Sequence, residues 1–218
     1  MNEIGSNNRW YETLSKLMGP VFTEQEFKRF LSRHREKLPF YEEYITGQKI
    51  LDIGCGFGYT CVPLSRLGYE ITAIDINQEV VKAAQENARK YGGSIQVISA
   101  DAFSIDQLFE QNSFDACISG GFLEHFEPDS IRELVKKQLY VAPTAIADVP
   151  IWSNERTLMN QYSDFEKRIC KDGVYRNLWN KDFWVSRILQ DFNVTHSEVG
   201  TSSRNTGSFE KLTLVMKR

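Results

Sequence analysis

Three glycines at alternate positions, Gly54, Gly56 and Gly58, follow directly on the apolar run that begins at Ile50. Glycines so spaced let the main chain approach a ligand where any Cβ would collide with it. Asp52 stands two residues ahead of the first glycine, and Cys55 fills the loop with a side chain small enough to pack beneath whatever binds. Asp75 closes a second apolar run, Tyr69 to Ile74, 21 residues beyond Gly54. A carboxylate about 20 residues past the first glycine is where a nucleotide ribose diol finds its acceptor. A third run, Ser94 to Ser99, leads to Asp101-Ala102-Phe103. A fourth, Phe114 to Ser119, opens into Gly120-Gly121-Phe122-Leu123-Glu124-His125. The chemistry of these residues is recognition of a nucleotide-like ligand. His125, taken as the only histidine near the expected cleft, titrates where a general base should.

These residues need a scaffold that brings strand ends together. From Lys49 onward apolar runs alternate with helical patterns. Tyr59 to Leu67 reads as the first crossover helix, closed by Gly68. Asn77 caps a helix to Tyr91, with Val80, Val81, Ala84, Ala88 and Tyr91 on its apolar face, and Gly92-Gly93 end it. Ile105, Leu108 and Phe109 mark a short helix. Pro128 opens another, with Ile131, Leu134, Val135 and Leu139 inward, and a fifth strand spans Thr144 to Pro150. This β-α order predicts an α/β doubly wound, mostly parallel sheet, with ligands at the carboxyl ends of its strands.

The flanks read differently. Residues 1–45 are helical: Trp10, Tyr11, Leu14, Leu17 and Met18 suggest one amphipathic helix, and Phe27, Phe30, Leu31 and Leu38 a second, punctuated by Pro39. They serve either as a cover on the sheet or as a lid on the site. Residues 151–180 are polar and aromatic with no clean period. Asn180 caps a helix from about Lys181 to Gln190. Two last strands, near Val194–Val199 and Lys211–Lys217, are expected to flank a polar loop from Gly200 to Gly207.

Taken in order, these features resemble the class I S-adenosylmethionine-dependent methyltransferases over roughly residues 45 to 150. The glycine run with Asp52 is similar to the family's first motif, and Leu123-Glu124-His125 to its strand-four signature. The resemblance implies a seven-stranded sheet with an antiparallel last strand. It implies S-adenosyl-L-methionine as cofactor, held by Asp52, Gly54, Cys55, Gly56, Gly58, Asp75, Ile76, Asp101, Ala102, Ser119 and Gly120. In such a site Asp75 takes the ribose, Asp101 faces the adenine amine, the Ala102 amide meets a ring nitrogen, and Asp52 lies near the donor's amino group. His125 is the candidate catalytic residue, although in the family this histidine is often not the base. Trp152, Asn154 and Tyr162, after the fifth strand, are candidate substrate-binding residues; ordinary loop and core duty is the alternative. The chain thus divides into an N-terminal cover or lid (1–45) and a methyltransferase domain (46–218), with a substrate-side insertion at 151–180.

Composition narrows the partner. A net charge of −3 without a basic run gives no signal for nucleic acid. The stretch Ser119-Gly120-Gly121-Phe122 departs from the [Asp/Asn]-Pro-Pro-aromatic tetrapeptide of adenine-amine methyltransferases, and the Pro-Cys pair of cytosine-5 enzymes is missing. A small-molecule acceptor is therefore favoured over a protein or RNA. A nicotinamide-dependent oxidoreductase would read G-x-G-x-x-G, whereas Tyr59 follows Gly58 here. A non-catalytic partner that keeps the fold is the remaining alternative. No apolar stretch reaches membrane-spanning length and no signal-peptide pattern opens the sequence, so a cytoplasmic location is expected. Cys55, Cys61, Cys117 and Cys170 form no C-x-x-C pair, the three histidines are scattered, and no metal site is expected. Oligomeric state is not encoded in any visible pattern.

Overall fold

The structure, a computed structural model, describes residues 19–152, 158–204 and 207–218, together with Tyr11, Glu12, Ser15 and Asn154. Trp10, Leu14, Leu17 and Met18 of the first expected helix lie outside the described residues. Helix α1 (Glu24–Glu36) starts on a capping box: Thr23 Oγ1 accepts from the Glu26 amide at 3.2 Å, and the Glu26 carboxylate accepts from the Thr23 amide at 2.9 Å. Its inward stripe is Phe27, Phe30 and His34. Pro39 does not end the helical region; it stands in the first turn of α2 (Leu38–Tyr44), where a missing N–H costs nothing.

Seven strands follow: β1 (Lys49–Ile53), β2 (Glu70–Asp75), β3 (Ile95–Ser99), β4 (Ala116–Gly120), β5 (Thr144–Pro150), β8 (Asn193–Arg204) and β9 (Gly207–Lys217), in the spatial order β3-β2-β1-β4-β5-β9-β8. β1 to β5 are mutually parallel, and β9 is antiparallel to both of its neighbours. Helices α3 (Cys61–Arg66), α4 (Gln78–Tyr91), α5 (Ile105–Leu108) and α6 (Pro128–Val141) make the crossovers. The two-residue period of a strand sends alternate side chains to opposite cores. Leu51, Cys117, Leu212 and Leu214 join α6 and Trp184 on one face. Ile50, Ala116, Ile146 and Val215 join α1, α3 and α4 on the other.

Two expectations are corrected. Gly200 to Arg204 and Gly207 are strand rather than loop: pairing continues from Gly200↔Lys211 to Arg204↔Gly207, because a polar sequence is compatible with a ribbon that extends beyond the core. The expected helix at Lys181–Gln190 is α-helical only in α7 (Lys181–Phe183). A wider π-turn follows over Trp184–Ile188, closed by the Leu189 amide on Trp184 O at 3.0 Å. That extra residue in the turn puts Trp184, Ile188 and Leu189 in the core together. The polar segment after β5 forms a small hairpin of β6 (Tyr162–Asp164) and β7 (Ile169–Cys170).

One buried side chain fastens the N-terminal cover to the sheet. Asn87, on α4, accepts from the Phe22 amide at 2.8 Å and donates to Pro20 O and Phe57 O, both at 2.9 Å. It is fully buried, so its loss strands a donor and two acceptors away from water. Asn87→Ala should lower stability by about 2–3 kcal/mol, read as a shift in the urea midpoint at unchanged slope.

Candidate functional site

Because β1 to β5 are parallel, their carboxyl ends share one edge of the sheet, and the candidate residues collect there. After β1 the chain turns through Gly54 (φ +66), Gly56 (φ +55) and Gly58 (φ +92). A Cβ on Gly54 would lie 2.3 Å from the Phe122 ring, so the turn is closed to other residues by packing as well as by backbone angle. Asp75, at the end of β2, clamps the turn: Oδ2 accepts from the Gly56 amide at 3.2 Å, and Oδ1 accepts from the Asn77 amide at 3.0 Å. Asn77 in turn caps α4 through the Glu79 and Val80 amides. Ile76 is half exposed beside it, at the rim. Asp101 follows β3 and caps the turn Ala102–Ser104 by accepting from the Phe103 amide at 2.9 Å. Ser119 and Gly120 end β4; Ser119 is buried and its Oγ has no hydrogen-bond partner.

Asp52 is buried under the turn, and its Oδ2 also lacks a partner. Burial pushes its carboxyl up to about 7 against the hydrogen bond from the Cys61 side chain, and the nearby charge of Asp75 adds to the rise. The Cys61 thiol and burial hold the Cys55 thiol well above its ordinary range. It is protonated and packs as a small apolar group. Two orphaned buried oxygens beside a cradle without side chains are what a bound polar ligand would complete.

The remaining candidates fall elsewhere. His125 Nδ1 lies 2.8 Å from Tyr175 O, so that nitrogen carries the proton and Nε2 is the basic one; burial lowers its affinity for a second proton. Tyr162 donates from its hydroxyl to Arg176 O at 3.0 Å and accepts from the Leu178 amide at 3.1 Å. With Cys170 and Leu178 it forms a small core on which Trp152 packs. Asn154 is exposed on the segment leading to the hairpin.

None of Trp152, Asn154, Tyr162 or His125 lines the cleft that opens beside the glycine turn. The cleft is narrow: about 30 Å³ of it can take the centre of a water molecule. Its floor is Ile118, Ser119 and Gly120 of β4; its walls are Ile146 and Asp148 of β5, Thr213 of β9, and His34, Lys37, Phe40 and Tyr41 of the cover. The histidine at the cleft is thus His34, and not His125 as expected. His34 Nε2 faces Tyr59 O at 3.2 Å and its Nδ1 faces the Tyr41 hydroxyl at 3.0 Å, which makes the Tyr41 O–H the donor. Burial brings His34 down to about 4, so it is neutral. Asp148 Oδ2 accepts from Lys37 Nζ at 3.4 Å and from Lys211 Nζ, and Oδ1 accepts from Thr213 Oγ1 at 2.5 Å. Burial works against the Asp148 charge, but the two lysines hold its carboxyl below the ordinary range. Ser119 and Gly120 were among the residues expected at a site; of the others only Asp148 left a trace in the sequence, as a carboxylate inside an otherwise apolar strand.

Residues 50–141 match the family model described as a methyltransferase domain. The crystal structure of a Pyrococcus horikoshii OT3 protein superposes with a TM-score of 0.71 at 22% identity, covering 95% of this chain and 97% of the other. A magnesium protoporphyrin IX methyltransferase from Synechocystis PCC 6803, solved with bound S-adenosylhomocysteine, gives 0.65 at 19% identity, covering 97% and 93%. The family match thus falls on the strands and helices around the glycine turn, and the likeness to these solved structures, one of fold, extends over nearly the whole chain. Among curated relatives, a ubiquinone biosynthesis O-methyltransferase of Rickettsia conorii is 32% identical over 124 residues, 53% of this chain and 41% of the relative. One from Caulobacter sp. is 33% identical over 104 residues, 47% and 38%. The chain thus spans less than half the length of these relatives.

Asp52 supplies a pH signature. Its ordinary value of 3.8 in the unfolded chain rises to about 7 on folding, so between those values the folded state holds the extra proton. Stability contributed here is greatest at low pH and falls as pH rises from about 4 to about 7. Asp52→Asn should remove that slope and leave the ligand-free protein the more stable of the two at about pH 8. Paired urea titrations across this range measure the difference.

Proposed function

We propose that the protein transfers a methyl group from S-adenosyl-L-methionine to a small organic acceptor. The observation that carries this reading is the glycine turn clamped by Asp75, with the partnerless oxygens of Asp52 and Ser119 beside it. When bound, the donor supplies a methyl group already activated on a sulfonium. Gly54, Gly56 and Gly58 admit the donor to the main chain. Asp75 accepts from its ribose hydroxyls, with Ile76 at the rim. Asp101 and the Ala102 amide face the adenine, and Asp52, Ser119 and Gly120 border the amino-acid end.

The protein's contribution is orientation, which can supply about 7–11 kcal/mol of barrier reduction without a covalent step. The cover formed within residues 1–45 closes one side of the acceptor cleft, and the hairpin region within 151–180 stands on the substrate side. The names of the curated relatives favour oxygen as the accepting atom. No helix among the described residues is long and apolar enough to cross a membrane. The four buried, free cysteines support a reducing, cytoplasmic setting.

Calorimetric titration with S-adenosylhomocysteine tests the donor site. Wild type should bind saturably and Asp75→Ala should bind at least about tenfold more weakly, the scale of one lost charge-assisted interaction. A folded wild type that does not bind overturns the methyltransferase reading and returns the nicotinamide and non-catalytic alternatives. His125, the expected base, stands outside the cleft and its Nδ1 holds Tyr175 O. His125→Asn should therefore leave kcat and donor affinity nearly unchanged; a loss of kcat on the order of 100-fold returns it to the role of base.

A further inference from the structure

The cleft takes little more than water because Lys37, Phe40 and Tyr41 stand against its floor. The two cover helices that supply its wall are held differently. Around α1, Phe22, Phe27 and Phe30 are buried, and Asn87 binds the strap that precedes it. In α2 only Tyr41 is buried. Polar ties reach from the two ends of α2 to the sheet. Lys37, at the junction of the helices, donates to Asp148 Oδ2 at 3.4 Å, and the Tyr44 hydroxyl meets His196 Nδ1 of β8 at 3.2 Å. The Asp148 carboxylate has other partners. Lys211 of β9 donates to the same Oδ2, and Thr213 of β9 donates to Oδ1. Both lie in the sheet, so the carboxylate keeps a cation and a hydroxyl when Lys37 departs. A buried ion pair resists separation chiefly because one charge is left uncompensated; Lys211 removes that penalty. It also competes with Lys37 for the oxygen and repels it.

We propose that α2 is a gate over the cleft, latched by Lys37 on Asp148, and that Lys211 keeps the latch weak enough to release. The gate moves between two fixed points, the end of α1 and the start of β1. Closed, it seats Tyr41 in the core and Phe40 on the cleft wall. Open, it uncovers Ile118, Ser119 and Gly120 for an entering ligand and carries Lys37, already partly exposed, into solvent. An ion pair of that exposure shifts an equilibrium only a few fold, so the latch can release while the domain stays folded. That the ligand admitted is a methyl acceptor rests on the methyl-transfer reading; the gate does not.

Hydrogen–deuterium exchange on the whole protein tests the gate. It is read at the Tyr41 and Ile45 amides, which donate to Lys37 O and Tyr41 O, against the Val81 amide of α4 as the reference for global unfolding. In wild type the two α2 amides should exchange at least about tenfold faster than Val81. Lys37→Met, which removes the latch, should raise that ratio about threefold. Lys211→Met should lower it about threefold, because Lys37 then holds Asp148 alone. Adding Lys37→Met to Lys211→Met should abolish the slowing. Asp148→Asn sets two ammonium groups together without a carboxylate; it should raise the ratio, and it carries the test if a lysine variant fails to fold. Equal exchange of α2 and Val81 in wild type, or shifts of the same sign in the two lysine variants, overturn the gate. Calorimetry with S-adenosylhomocysteine on the same proteins separates the two readings. Exchange in the expected order without binding keeps the gate and sinks the methyl-transfer reading, whereas binding with all exchange ratios alike does the reverse.

Discussion

The turn that leaves β1 constrains everything built around it. Its three positive backbone angles are available at low cost only to glycine, and Phe122 packs where a Gly54 side chain would stand. The turn is held from three sides. Asp75 accepts the Gly56 amide, Ile74 O accepts the Cys55 amide, and Asn87 donates to Phe57 O. Those contacts come from β2 and α4, so the first crossover must be in register before the turn can form. Through Asn87 the same turn carries the strap at Pro20 to Phe22, and with it the cover helices that wall the cleft. The glycine turn and the cleft are therefore mechanically one assembly.

Much of this was legible where cause and effect lie close in sequence. The ends of β5, the Asn77 cap and the Asp75 carboxylate follow from local pattern, and the structure reproduces each. Of the cleft only the floor, Ser119 and Gly120, was legible, because the partners of Asp148 come from distant segments: Lys37 is 111 residues from it and Lys211 is 63. Neither lysine differs from any surface lysine until the sheet order is known. His34 illustrates the same limit, since its place on an amphipathic helix says only that it faces inward. Polarity misled at Gly200 to Gly207, where a ribbon needs no apolar face to keep its ladder. At Trp184 the 3.6-residue period gave way to packing of a large ring.

The segment after β5 shows how a stretch without periodicity can still be specified. Asn177 is fully buried. It donates to Phe126 O at 2.7 Å and accepts from Arg168 and from the Tyr175 hydroxyl, while its amide reaches Glu124 O. The Glu127 carboxylate lies equally near the Tyr175 hydroxyl, whose one proton is shared between it and Asn177. The order here is polar and convergent, and it ties the hairpin to the turn after β4 that bears Glu124 and His125. Residues chosen for such a network leave no repeating trace in sequence.

The position of β9 has a consequence for how the protein can be made. It is the last strand in chain order yet lies inside the sheet, between β5 and β8. Leu212, Leu214 and Met216 complete one core and Val215 the other. Until these residues emerge from the ribosome, β5 presents an open edge and both cores lack a wall. Vectorial synthesis thus cannot lay the molecule down piece by piece from its amino end. The nascent chain must wait, its apolar strands exposed to chaperones or to other chains, until β9 closes the sheet from within.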